Sequence, residues 1–181
     1  MRVMRKSLLL MSAWSAGSQN RPRAGSIGVH ELLSPETVLL AEPSAGKEAL
    51  IAELVTRLCR GLSIADAQPL AAKVLEREKG ISTTLDTGLS LPHARVDGLE
   101  RIAAALAIPK APLSAPAGEI PIRVIFLFFS PNRQEFFAAH LQLLREVSSL
   151  FQPALIERLG AAGSPTEVLA LIREAEGAKA R

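Results

Sequence analysis

Helix and strand patterns alternate along the chain from residue 34 onward, and this alternation limits the possible folds more than any other feature. Apolar residues recur at helical spacing over residues 47–59, and Asp66 is placed to cap a second helix that ends at Lys79. Two apolar runs of strand length follow at residues 102–108 and 122–129. Such a series predicts an α/β (α+β) fold in which a central mixed β-sheet is flanked by helices.

Three further segments complete the predicted order of elements. Residues 89–91 favour a short strand that leads into Pro92, and residues 164–176 favour a final helix. Residues 134–151 are predicted to form the longest helix. Its predicted apolar stripe consists of Phe136, Phe137, Leu141, Leu144, Val147 and Phe151. Functional groups are expected in the loops at the ends of the strands.

Composition excludes several classes of protein. The chain has 181 residues, of which 48% are hydrophobic, and this is enough apolar material for one globular domain. A disordered chain would be far less apolar, and one cysteine cannot form a disulfide scaffold. The three histidines and one cysteine also lack the ligand spacing of a structural zinc site. No metal site is therefore expected.

The formal net charge of +3 comes from the beginning of the chain. Residues 1–30 carry five basic side chains and no acidic one, which leaves 16 basic and 18 acidic residues in 31–181. Because that remainder is mildly acidic and poor in aromatic residues, nucleic acid is not expected as a partner.

The first thirty residues look separate from the rest. Basic residues precede a short apolar run at residues 8–11, and a stretch rich in Ser, Gly, Asn, Pro and Arg follows. One interpretation is a secretory signal peptide, although the apolar run is shorter than the usual length of about 7–15 residues. The other is a flexible basic extension, which gives predicted limits of 1–30 for the extension, 31–177 for the domain and 178–181 for a tail. The longest apolar runs have strand length, so direct membrane insertion is not expected.

Of the candidate reactive side chains, His93 has the most informative surroundings. Residues 45–48 lack the first glycine and the Ser/Thr of a P-loop, and no nucleophile elbow or dinucleotide fingerprint is present. Cys59 lies on the apolar side of its predicted helix, and His30 has no motif around it. His93 follows Pro92 after a hydroxyl-rich turn, where one ring nitrogen can face outward and the other can meet a backbone or hydroxyl partner. A solvated surface histidine is the alternative.

Residues 77–95 also carry a recognisable signature. An Arg-Glu pair at 77 and 78 is followed by Ser-Thr-Thr-Leu-Asp-Thr-Gly at 82–88 and by a Leu-Pro-His corner at 91–93. This segment resembles the active-site signature of the fructose/mannitol-type (type 2) enzyme IIA domains of the bacterial phosphoenolpyruvate-dependent phosphotransferase system, which include nitrogen-regulatory IIA proteins. Leu-Ser-Pro-Glu at 33–36 and the strand-then-helix segment at 124–144 are similar to the same family. The resemblance covers roughly residues 32–176.

The resemblance implies a phosphoryl-transfer site that needs no cofactor. It makes His93 the phosphorylated nucleophile, with Arg77 beside the phosphate and His140 as a second active-site histidine. Neutral imidazole is a good nucleophile toward phosphorus near pH 7, and a guanidinium offers charged, forked donors to phosphate oxygens. The phosphate loop implied by the family comprises Ser82, Thr83, Thr87 and Gly88.

Considered without the family, two of these residues have other interpretations. Arg77 could complement the dipole at the end of its helix. His140 falls on the same side of its helix as Phe136 and Leu144, so it could be a buried histidine with a backbone partner. Glu78 and Arg95 carry weaker signals than these residues.

The loop departs from the family pattern at several positions. The family usually has Gly-Asn-Gly and Pro-His-Gly, whereas this chain has Asp-Thr-Gly at 86–88 and Pro-His-Ala at 92–94. Asp86 would oppose a bound phosphate if it pointed inward, while Thr87 could supply a hydroxyl in place of the asparagine amide. Leu85, Leu89 and Leu91 are candidate apolar residues for docking a partner.

The sequence thus gives the hypothesis of a cytoplasmic phosphoryl-relay protein that accepts phosphate on His93 from a histidine phosphocarrier protein. Its length favours the stand-alone nitrogen-regulatory branch. A sugar-specific IIA subunit that passes phosphate to a IIB cysteine is one alternative, and a non-catalytic IIA-like regulatory binding module is another. The expected partners are the phosphocarrier as donor and a IIB domain or regulatory proteins as acceptor or target.

Overall fold

The computed structural model describes residues 27–42, 46–80, 83–113 and 120–179. Five strands and five α-helices lie in this part of the chain, with short 3₁₀ helices before the first strand and before the third α-helix. In chain order the elements are β1 (Val38–Ala41), α1 (Lys47–Gly61), α2 (Gln68–Gly80), β2 (Leu89–Ser90), β3 (His93–Val96), β4 (Ala103–Pro109), β5 (Val124–Pro131), α3 (Phe137–Leu150), α4 (Pro153–Gly160) and α5 (Pro165–Lys179).

The five strands form one mixed sheet, as predicted. Its order is β1-β4-β5-β2, and β3 pairs with β5 as well. β1 is parallel to β4, β4 is antiparallel to β5, and both β2 and β3 are parallel to β5. Leu89 of β2 is opposite Val124, and His93 of β3 is opposite Phe128. The two short strands therefore follow one another along the same edge of β5, and the Leu-Pro-His corner lies where β2 gives way to β3.

Helices cover both faces of the sheet. Successive residues of β5 point to opposite sides, and the strand therefore presents apolar side chains to both faces. Phe126 and Phe128 pack in a core cluster with side chains of α3, α4 and α5. Ile125 and Leu127 pack in a second cluster with side chains of α1 and α2. All of β5 is buried, and the burial of each such Phe or Leu contributes about 1.5–3 kcal/mol. This burial fixes the position of β5, and with it the position of β3.

The helix ends and lengths follow local signals. The Oδ1 atom of Asp66 accepts the backbone N–H of Gln68 at 2.9 Å, so Asp66 caps the start of α2 as predicted. α1 and α5 contain 15 residues each.

None of the helices in the described ranges combines the length and the apolar character that crossing a membrane requires.

The prediction for residues 134–151 was partly wrong, since α3 has 14 residues and is not the longest helix, and part of its predicted apolar stripe is exposed. Phe137 and Leu141 are 45% and 48% exposed. The face of α3 that meets the sheet consists of Ala139, His140, Leu143, Val147 and Leu150. Two apolar stripes lie side by side on this helix, and the sheet covers the one that contains His140.

The N-terminal boundary of the described chain packs against α5. Val29 is 1% exposed and belongs to the cluster that α5 covers. The Glu176 carboxylate accepts the backbone N–H groups of Val29 and His30 and also contacts Nδ1 of His30. His30 therefore has a partner in Glu176, which no motif in the sequence indicates. Residues 1–26 lie outside the described part, so the limits predicted for an extension stay a prediction.

Candidate active site

The imidazole of His93 is held from one side at the start of β3. The residue is 5% exposed, and its Nδ1 lies 2.7 Å from the carbonyl oxygen of Leu91. A carbonyl oxygen only accepts, so Nδ1 carries the proton in this hydrogen bond. In the neutral ring the lone pair is then on Nε2, which makes Nε2 the nitrogen that can act as a nucleophile.

Two aromatic rings pack against this imidazole. The ring of Phe128 stacks on it, with the two centroids 5.1 Å apart and the planes 7° from parallel. The ring of His140 lies at a centroid distance of 5.2 Å from His93 and is tilted by 59°. Phe128 reaches His93 because the two residues are opposite each other in the β3·β5 ladder, whereas His140 comes from the sheet-facing side of α3.

His140 is anchored by a serine at the end of β5. The Nδ1 atom of His140 and the Oγ atom of Ser130 share a hydrogen bond of 2.7 Å. Ser130 is 0% exposed and His140 is 7% exposed. A buried polar group without a partner costs about 1–3 kcal/mol, so this bond stabilises both side chains where they lie.

Arg77 reaches β3 from the last turn of α2. Its Nη1 donates to the backbone carbonyl of His93 at 3.3 Å. A guanidinium has five N–H groups, so one such bond leaves others for a ligand. A cleft of about 300 Å³ opens beside these two residues. The described residues that line it are Lys73, Arg77, His93, Ala94, Arg95 and Asn132.

The surroundings favour the neutral form of both histidines. Burial lowers the pKa of His93 and the charge of Arg77 lowers it further, against the opposing effects of the Leu91 hydrogen bond and the Glu78 carboxylate. Burial, followed by the charges of His93, Arg95 and Arg77, lowers the pKa of His140 to about 4. At pH 7 the site therefore holds two neutral imidazoles beside a permanent cation, which suits the attack of a nucleophilic nitrogen on an anionic group.

Residues 31–175 match the family described as "Phosphoenolpyruvate-dependent sugar phosphotransferase system, EIIA 2". The chain belongs to this EIIA 2 family. The family resemblance found in the sequence is thereby confirmed, and so is the fold it implied.

Known proteins similar to this EIIA 2 domain include nitrogen regulatory and mannitol proteins. A nitrogen regulatory protein of Pseudomonas aeruginosa is 26% identical over 129 residues, which cover 71% of this chain and 82% of the relative. The crystal structure of the nitrogen regulatory protein IIA-Ntr from Neisseria meningitidis has 28% identity and a TM-score of 0.69, and the match covers 80% of this chain and 98% of that one. The complex of enzyme IIA mannitol with phosphorylated enzyme IIB mannitol from Escherichia coli has 21% identity and a TM-score of 0.60, with 78% and 97% covered, and it shows the fold alone.

Three of the residues predicted for the site of this EIIA 2 domain come together in space. His93, Arg77 and His140 are brought to one place by β3, α2 and α3, although His140 lies far from the other two in the sequence. The structure does not show the backbone-bound histidine suggested as the alternative for His140, since Nδ1 of His140 is hydrogen-bonded to the hydroxyl of Ser130.

The predicted phosphate loop is placed differently. Ser82 lies outside the described residues. The Thr83 hydroxyl donates to Oε1 of Glu78 at 2.7 Å, and the Thr87 hydroxyl is buried with no hydrogen-bond partner in the described part of the chain. Gly88 has a φ of +84° and its carbonyl accepts the N–H of Arg123 at 2.8 Å. None of these three is among the described residues that line the cleft. Their role in binding phosphate stays a prediction.

Two further sequence expectations concern the surface near the loop. Asp86 is exposed and is not among the described cleft residues, so the inward orientation that would oppose phosphate is not observed. Leu89 and Leu91 are buried in the core, which removes them as docking residues, and Leu85 is half-buried.

Sequence reasoning missed four residues of this neighbourhood. Phe128 and Ser130 support the two imidazoles from β5. Lys73 donates to the backbone carbonyl of Arg95 at 2.8 Å, and the amide of Asn132 donates to Asp97 at 2.8 Å. A serine and an asparagine at the end of an apolar strand are the sequence signal that could have drawn attention to the end of β5. In the described ranges no three His, Cys, Asp or Glu residues are grouped as metal ligands.

Proposed function

We propose that this chain is a cytoplasmic phosphoryl-relay protein of the phosphoenolpyruvate-dependent phosphotransferase system, which accepts a phosphoryl group on Nε2 of His93 from a phosphohistidine of a histidine phosphocarrier protein. The observation that carries this proposal is the hydrogen bond between Nδ1 of His93 and the Leu91 carbonyl. It leaves the lone pair on Nε2 in a cleft that Arg77 also lines. Membership of the EIIA 2 family supports the same reaction.

The transfer needs no redox step and no further reactant. The lone pair of Nε2 attacks phosphorus, and the bond between phosphorus and the donor nitrogen breaks. The electron pair of that bond returns to the donor imidazole, which becomes neutral. The His93 ring then carries the positive charge, and its Nδ1–H continues to donate to the Leu91 carbonyl, which stabilises that charge. Arg77 offsets the negative charge of the phosphoryl oxygens.

His140 is proposed to bind the transferred group. The centroids of the His140 and His93 rings are 5.2 Å apart. This is close enough for a ring nitrogen of His140 to contact an oxygen of a phosphoryl group bonded to Nε2 of His93. Because its pKa is lowered to about 4, His140 is neutral at pH 7. We assign the tautomer in which Ser130 donates to Nδ1, so that the Nε2–H of His140 donates to a phosphoryl oxygen.

The nitrogen-regulatory branch is the preferred assignment. Matches to two nitrogen regulatory proteins cover 71% and 80% of this chain. The mannitol complex supports a second candidate, a sugar-specific IIA subunit whose acceptor is a IIB cysteine, because the IIA protein of that complex shares this fold. The acceptor therefore separates the two candidates.

The proposal is tested by phosphorylation in vitro. The protein is incubated with phosphoenolpyruvate, enzyme I and the cognate phosphocarrier, and intact mass is followed before and after acid treatment. We expect an acid-labile gain of one phosphate that His93→Gln abolishes and the control His30→Gln retains. Adding a IIB domain then reveals transfer to its cysteine if the sugar-specific assignment is correct. The absence of a mass gain in folded wild-type protein would contradict the relay and favour a non-catalytic binding module.

A further inference from the structure

Arg95 lies on the same face of β3 as His93. Side chains alternate along a strand, and the intervening Ala94 packs in the core cluster under α1 and α2, as does Val96. His93 and Arg95 therefore both point toward the α3 side of the sheet, about 7 Å apart along the strand. Arg95 also lines the same cleft as His93 and Arg77.

The guanidinium of Arg95 is held in place by its neighbours. Its Nη2 donates to the backbone carbonyl of Arg133 at 2.9 Å, and its Cζ lies 5.6 Å from the centre of the Phe137 ring. Its backbone carbonyl is fixed by the hydrogen bond from Lys73. A long side chain held by two such contacts has already lost much of its rotamer freedom, so it can bind a ligand at little further entropic cost.

One donor of this fixed group has no acceptor among the described residues. The Nε atom of Arg95 is buried and has no hydrogen-bond partner in the described part of the chain. Leaving a buried charged donor unpaired is unfavourable, and such a donor next to a cleft indicates a ligand that supplies the acceptor.

The charge around the cleft identifies the chemical class of that ligand. Its described lining contains the cations Lys73, Arg77 and Arg95 and no carboxylate. Arg77 comes from α2 on one face of the sheet, whereas Arg95 points to the α3 face, where its charge also acts on His140. Two guanidinium groups that approach from different sides suit a compact dianion.

We propose that Arg95 is a second phosphoryl-binding arginine, whose Nε–H donates to an oxygen of the group carried by His93 on the side away from Arg77. This inference rests on the proposed function and adds a residue to it. Arg95 would thus bind the group during transfer and stabilise the phosphorylated state.

The test compares Arg95→Gln and Arg95→Lys with the matched control Arg133→Gln. Arg133 also stacks on a phenylalanine, with Cζ 4.9 Å from the Phe136 ring centre, but it is not among the described cleft residues. We expect phosphoryl uptake to slow roughly tenfold or more in Arg95→Gln, with at most partial recovery in Arg95→Lys, because lysine lacks the Nε–H of the fork. Arg133→Gln should stay near the wild-type rate.

A phosphorus NMR titration of the phosphorylated protein distinguishes binding from a purely structural role. Loss of a neighbouring cation should raise the pKa of the phosphoryl group by roughly one unit in Arg95→Gln and leave it unchanged in Arg133→Gln. Wild-type rates and an unchanged titration in Arg95→Gln would overturn the role of Arg95 while leaving the relay intact. If Arg95→Gln does not fold, the uptake rate of Arg95→Lys decides, because lysine keeps the charge that the titration reports but lacks the Nε–H; a wild-type rate there would overturn the role of Arg95. A wild-type protein that takes up no phosphate contradicts the proposed function itself.

Discussion

The imidazole of His93 lies flat against the ring of Phe128, with the centroids 5.1 Å apart and the planes within 7° of parallel. This contact results from the strand register, because the two residues are opposite each other in the β3·β5 ladder. The stacking fixes the plane of the ring, and the hydrogen bond to the Leu91 carbonyl fixes the direction in which Nδ1 points. The orientation of Nε2 is therefore determined by the sheet, before any partner binds.

Replacing Phe128 by Leu should impair phosphorylation through this contact. We expect a loss of about 1–2 kcal/mol of stability, because a stacked aromatic pair and part of a buried ring are removed. The rate of phosphoryl uptake should fall roughly tenfold as the His93 ring gains freedom. Phe126→Leu is the matched control, since Phe126 is equally buried in β5 but packs on Phe151 as well as Phe128. Equal rates in the two variants, measured by intact mass against time, would exclude a special role for the stack.

The Arg77 guanidinium should not be replaceable by an ammonium group. Arg77→Lys keeps the charge but loses the fork that can hold the His93 carbonyl and a phosphoryl oxygen together. We expect phosphoryl uptake to slow by roughly 10- to 100-fold with little change in thermal stability. The control is Arg60→Lys, because Arg60 occupies the last turn of α1 as Arg77 does in α2. A wild-type rate in Arg77→Lys would show that charge alone suffices.

The framework of the sheet could be predicted because it rests on local signals. The apolar runs at residues 102–108 and 122–129 lie within two residues of β4 and β5 at each end, since a strand buried on both faces has a continuous apolar sequence. In β3, His93 and Arg95 alternate with Ala94 and Val96, a pattern too short and polar to be recognised. Only its pairing with β5 makes this segment a strand.

The candidate site was predictable only in part, for a related reason. His93 and Arg77 stand in one continuous signature, whereas the contact between His140 and Ser130 joins two elements across a turn. No spacing rule gives that contact. The choice between the two apolar stripes of α3 is likewise made by the sheet, which leaves Phe137 and Leu141 exposed. Tertiary packing decides what local pattern leaves open.

The turn before β2 should tolerate no side chain at Gly88. Gly88 has a φ of +84°, and a Cβ there would lie 2.9 Å from the backbone oxygen of Pro121. Gly98 has a φ of +75°, and apart from its chain neighbours no atom of the described residues lies within 4 Å of a Cβ there, so it is the matched control for backbone strain alone. We expect Gly98→Ala to cost about 1 kcal/mol and Gly88→Ala about 2–4 kcal/mol, because the second adds a clash to the strain. Urea unfolding measures both, and equal losses would show that the contact with Pro121 relaxes freely.

The buried His140 should make the folded state sensitive to acid. Its pKa is lowered from the usual 6.5 to about 4, so between these values the unfolded chain binds a proton that the folded chain does not. The free energy of unfolding therefore keeps the whole contribution of His140 above pH 6.5. It falls as the pH drops toward 4, and His140 causes no further loss below pH 4. At 1.36 kcal/mol per unit, the loss amounts to about 3 kcal/mol.

The measurement is the difference between wild type and His140→Gln in urea unfolding from pH 7 to pH 4. Glutamine does not titrate and can still form a hydrogen bond with Ser130. Between pH 7 and pH 4 the free energy of unfolding of the variant should therefore fall by about 3 kcal/mol less than that of wild type. The pKa of His93 is also lowered, and some slope should therefore remain in the variant. Taking the difference cancels the carboxylates, which titrate in both proteins. Parallel stability curves would mean that His140 keeps its ordinary pKa in the folded protein. His140 could then no longer be assigned as a neutral hydrogen-bond donor.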